Sequence, residues 1–115
     1  MIGLDTNVVV RYLTQDGPAQ SRRATGIIEQ RLTVQRPGFI CVVTMVEIAW
    51  VLARAYRFNA REIAAVLERM LQTDVLVIEN EQEVFIALIA FKEKRGAFAD
   101  AVIAALGAKA GCRHT

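Results

Sequence analysis

Three short apolar runs, Ile2–Leu4, Phe39–Val43 and Val75–Ile78, constrain this chain more than any other feature in it. Each is too short for a buried helix, and each places apolar residues consecutively, as strands buried on both faces do. Between the runs the pattern changes to helical spacing. Asn7–Leu13 reads as a helix broken by Asp16-Gly17-Pro18, with Pro18 placed to open a second helix through about Leu32. Thr44 is placed to cap a third helix through about Tyr56. Asn59 is placed to cap a fourth, in which Ile63, Val66, Leu67, Met70 and Leu71 share a face. Glu81–Lys94 and the Ala-rich Asp100–Ala110 also read as helices, and Cys112–Thr115 as the start of another strand. Strands alternating with helices predict an α/β fold with a mainly parallel sheet.

The 115 residues suit one domain spanning 1–115, with a single core. Hydrophobic residues make up 54% and mean hydropathy is +0.31, high for a soluble chain. Strands buried on both faces can absorb that excess, and so can a helix surface reserved for a partner. No apolar stretch approaches the roughly 18 residues of a membrane helix, because Glu47 interrupts the best candidate. No basic segment followed by an apolar run opens the chain, so no export signal is expected. Cys41 and Cys112 make no disulfide framework. Together these features predict a cytoplasmic protein with reduced thiols. A net charge of +2 and a pI near 8.8 are compatible with a polyanionic partner without pointing to one.

Chemistry in open α/β sheets gathers beyond the carboxyl ends of the strands. Asp5 ends the first run, followed by Thr6 and Asn7; all three residue types also cap helices. Glu47 is the only charge between Arg36 and Arg54. A carboxylate in so apolar a helix costs several kcal/mol unless paired or coordinated, or it completes a capping box with Thr44. Asp100 is the lone acid of AFADAVIAALGAKA and could be that helix's N-cap. Brought to one end of a sheet, the three acids would repel, and a divalent cation would relieve them. Oxygen ligands with few histidines favour Mg²⁺ or Mn²⁺ over zinc, and His114 with two distant cysteines builds no zinc site.

LDTNVVVRYL, TMVEIAWVL and FADAVIAALGAKAGC together resemble the PIN-domain ribonucleases, and within them the VapC-type toxins of toxin–antitoxin pairs. The resemblance covers the whole chain with its motifs in order. It implies a three-layer α/β/α fold around four to five mainly parallel strands, and a metal-dependent endoribonuclease. Asp5, Glu47 and Asp100 match the family's metal-binding acids. Thr6 and Asn7 match the pair that holds the first acid, and Thr44 the hydroxyl before the second. The resemblance also implies an antitoxin partner and a homodimer. Of the surplus helical apolar positions Ile27, Ile28, Leu52, Tyr56, Ile63, Val66, Leu67 and Met70, part is expected to bind an antitoxin helix and another part to support a homodimer. Two departures stand out. Ala97 replaces a frequent additional acid, and the family's fourth acid, on a strand after Gly-Cys, would fall beyond Thr115. The 115-residue form is therefore expected to be weak or inactive.

Arg11, Arg22, Arg23 and Arg36 are candidates for RNA backbone contacts, or plain solvated charges. Rival readings are weaker. A phosphatase with Asp5 as nucleophile wants a second acid where Asn7 stands. A nucleotide-binding module wants a Gly-rich loop after a strand, and GAKAG lies in or after a helix. A non-catalytic interaction module would keep the acids only as caps.

Overall fold

The computed structural model describes residues 1–94 and 96–112. Three strands, β1 (Ile2–Gly3), β2 (Gly38–Ile40) and β3 (Leu76–Ile78), pair in parallel in the order β1-β2-β3. Parallel neighbours need long returns. Helices α1 (Thr6–Thr14) and α2 (Pro18–Thr25, continuing as a π-helical stretch Gly26–Arg31) provide the first. Helices α3 (Val42–Arg54) and α4 (Ala60–Leu71) provide the second, and α5 (Glu81–Lys92) and α6 (Phe98–Lys109) follow β3. The α/β class and parallel sheet expected from the apolar runs are present. Among the described residues the sheet has three strands rather than four to five, and the strand expected at 112–115 lies outside them except for Cys112.

Register aligns Leu4, Ile40 and Ile78 on one face of the sheet, and all three are buried. Gly38 shares that face, and its missing side chain makes room. A Cβ there would stand 2.7 Å from Leu4 Cδ1 and 3.0 Å from Leu32 Cδ1. The row Gly3–Phe39–Val77 lies on the opposite face. Gly3 and Val77 are exposed, and Phe39 is outside the core cluster. The described helices therefore cover one side of the sheet, two layers rather than the expected three-layer α/β/α arrangement with strands buried on both faces. The thinnest dimension, 17 Å, has room for the sheet and one helical layer.

Helix starts differ instructively from the sequence reading. The β-branched run Val42–Val43 reads as strand, yet it opens α3, and Cys41 rather than Thr44 is the N-cap residue. The missing cap arrives from elsewhere: Glu79, just after β3, accepts the Val42 N–H through Oε1 at 2.9 Å. Similarly, α6 begins at Phe98 with Ala97 at its N-cap, so Asp100 is not its cap. The helix expected from Pro18 to Leu32 changes pitch at Gly26, where no side chain holds the turn. Asn59 does cap α4, in a full capping box with Glu62. Replacing Asn59 by Ala is expected to cost about 1 kcal/mol and lower the melting temperature by about 4–8 °C, readable by circular dichroism.

The apolar surplus is also distributed differently. Leu52, Ile63, Leu67 and Met70, expected in part at a partner surface, are buried in the core. The large apolar side chains left exposed are Val34, Val43, Trp50, Val77, Phe85, Ile86, Ile89, Ile103 and Met1.

Candidate active site

Asp5 lies two residues past β1 and occupies the N-cap of α1, where its Oδ1 accepts the Val8 N–H at 2.9 Å. Capping uses one oxygen and leaves the other available, so a cap and a metal ligand are compatible roles. The next residue, Thr6, donates its hydroxyl proton to Glu47 Oε1 at 3.0 Å. That bond spans 41 residues and ties the start of α1 to the first half of α3. Glu47 therefore makes no capping box with Thr44. The Thr44 hydroxyl is buried and paired with Cys41 Sγ at 3.3 Å. Hydrogen bonds from the Thr44 side chain and then its backbone hold the Cys41 thiol below its usual pKa.

Asp100 sits in the first turn of α6. Its neighbours Ala97, Phe98 and Ala99 line a groove with Val46, Ala49 and Trp50 of α3, so the start of α6 runs beside the segment carrying Glu47. Asp5, Glu47 and Asp100 are all exposed. In kind they suit a hard dication: carboxylate oxygens open to solvent, without a histidine or thiolate among them. In placement, Asp5 and Glu47 are joined through Thr6. Among the described residues, no group of three or more His, Cys, Asp or Glu side chains lies close enough to hold one ion.

The arginines divide. Asn7, Arg11 and Arg23 line one cleft between α1 and α2, with a volume near 410 Å³. Arg11 is partly engaged there, donating to the Asp16 carbonyl at 3.0 Å and lying 3.7 Å from its carboxylate. Arg22 bonds back to the Pro18 carbonyl. Arg36 precedes β2, which puts it at the opposite end of the parallel sheet from Asp5. Glu79 was missed by the sequence reading. Its signal was available: an acid directly after the third apolar run, as Asp5 directly follows the first.

The profile of the PIN domain family matches residues 2–114. The chain belongs to the PIN domain family. Comparison with curated proteins and with solved structures returns no match. PIN domains are generally nucleases, typically using divalent metal ions. The three-stranded parallel sheet and six helices are consistent with a PIN fold. For a PIN domain, the end of the sheet bearing Asp5, Glu47 and Glu79 is the one where ligands of open α/β sheets bind. No described helix is long and apolar enough to cross a membrane.

Proposed function

We propose that this PIN domain is a Mg²⁺- or Mn²⁺-dependent endoribonuclease, acting as the toxin of a toxin–antitoxin pair. The observation that carries the reading is the Thr6–Glu47 hydrogen bond, which couples the first two acids of the motif across 41 residues of chain. Asp5, Glu47 and Asp100 would supply the metal's ligands by drawing together on the ion, since no three such groups among the described residues already stand within reach of one. Bound there, the metal would polarise the scissile phosphate and lower the pKa of an attacking water. The chain's own residues do the rest. Thr6 orients Glu47, the α1 turn orients Asp5, and Arg11 and Arg23 in the neighbouring cleft attract the RNA backbone.

The partner reading draws support from an apolar pocket of about 370 Å³ between α1, the π-helical stretch and α4, lined in part by the half-buried Leu13, Ile28 and Val66. Such a pocket suits an amphipathic antitoxin helix. Exposed Phe85, Ile86 and Ile89 on α5 suit a homodimer contact. Free Cys41 and Cys112 suit work in the cytoplasm.

Incubating the purified chain, free of any partner, with RNA and Mg²⁺ tests the reading, with a chelator as control. Chelator-sensitive cleavage supports it. RNA left intact at every metal concentration, both by this chain and by one lengthened to carry a fourth acid, would favour a non-catalytic interaction module instead. The threonine gives a finer measurement. Thr6→Val keeps the side-chain shape but removes the proton donated to Glu47, and it is expected to lower cleavage about tenfold, recoverable in part by excess metal. An unchanged dependence of initial rate on metal concentration would show that Glu47 needs no such partner.

A further inference from the structure

Helix α3 is sharply two-sided. Met45, Ile48 and Leu52 are fully buried, whereas Val43, Glu47, Trp50 and Arg54 form one exposed stripe at helical spacing. Trp50, the chain's only tryptophan, is 60% exposed on this stripe, although the sequence is rich in smaller groups that would sit there more cheaply. The Arg54 guanidinium carbon lies 5.3 Å from the centre of its ring. That contact helps hold the ring in place, and among the described residues Arg54 has no ion pair with a carboxylate. On the α-helical rise, Trp50 stands about 4.5 Å and Arg54 about 10.5 Å along the axis from Glu47. The ring also borders the apolar groove of Val46, Ala49, Phe98 and Ala99, which leads toward Asp100. An exposed aromatic ring with a cation over one face, bordering an apolar groove whose lining includes the chain neighbours of Glu47 and Asp100, suits a nucleobase and its phosphate.

We propose that Trp50 is a stacking platform for an unpaired base of the RNA next to the bond that is cut, with Arg54 contacting the adjoining phosphate. The proposal rests on the ribonuclease reading and adds a substrate preference to it. A duplex hides the faces of its bases, whereas a single strand, loop or bulge can splay one onto an aromatic ring. The chain therefore selects unpaired RNA, and Trp50 is a positioning residue that acts through binding.

The lone tryptophan makes the contact directly observable. With a chelator present to prevent cleavage, a ten-nucleotide oligoadenylate is titrated into the protein, and then the same strand annealed to its complement. Saturable quenching of tryptophan emission is expected with the single strand and much less with the duplex. Trp50→Ala, followed by anisotropy of a labelled strand, is expected to weaken binding about tenfold or more, and Trp50→Phe to restore most of it. With metal, Trp50→Ala raises KM while kcat stays near that of the parent. Binding by anisotropy without any change in emission would overturn the proposal and leave the ribonuclease reading standing. So would equal affinity of Trp50→Ala and the parent, or a Trp50→Ala change that dissociates a dimer in light scattering without altering RNA affinity. A parent chain that neither binds nor cuts RNA removes the ribonuclease reading, and this proposal with it.

Discussion

Asp5→Asn is expected to leave the chain folded and to reduce RNA cleavage by about a hundredfold or more. The two effects separate because Asp5 has two tasks. As N-cap of α1 it accepts one backbone N–H through Oδ1, and an Asn carbonyl oxygen accepts that proton about as well. Melting should therefore shift by no more than about 0.5 kcal/mol. As a metal ligand it supplies negative charge, which Asn lacks. Asp5→Ala should lose both, adding about 1 kcal/mol of destabilisation to the loss of cleavage. Thermal melts and initial rates for the two variants side by side make the comparison. Parent-level, chelator-sensitive cleavage by Asp5→Asn would mean that Asp5 is a cap and nothing more.

The largest expected loss of stability is at Ile48. It follows Glu47 in α3 but points the other way, is fully buried, and belongs to the main core cluster. Ile48→Ala removes three carbon atoms from packed surroundings and should cost about 2–5 kcal/mol, a large part of the roughly 5–15 kcal/mol that stabilises a typical domain. Urea unfolding should show the midpoint falling with the slope unchanged. Val43→Ala, on the exposed stripe of the same helix, is the control and should stay within about 0.5 kcal/mol. A loss at Ile48 no greater than at Val43 would contradict the placement of the core.

Much of this architecture is legible in the chain because apolar runs report local burial. Ile2–Leu4, Phe39–Ile40 and Leu76–Ile78 all lie in or beside strands, and Asn59 announces α4 by a box confined to four residues. What escaped depends on contacts distant in sequence. Val42 and Val43 favour extended chain, yet a carboxylate 37 residues away caps them as helix. Glu47 looks like half of a local capping box, and its proton donor lies 41 residues upstream. The surplus of apolar residues was visible in composition, but not its address. The helical face of Ile63, Leu67 and Met70 is core, whereas Phe85, Ile86 and Ile89, within the unbroken apolar stretch Val84–Phe91 of α5, meet solvent. A helical stretch apolar all round gives no periodic signal of which side is covered.

The division of α3 into a buried face and an exposed one bears on how such a chain can change over generations. Its inward residues are held by dense packing, where most replacements are heavily penalised. Its outward positions, Val43, Trp50, Ala53 and Arg54, can be exchanged at almost no thermodynamic penalty while the backbone under Glu47 stays put. Drift along that outer strip can thus retune which molecules are gripped beside the acid without rebuilding the rod that holds it. A lineage carrying this helix can diversify its targets one surface substitution at a time, on a frame that selection keeps still.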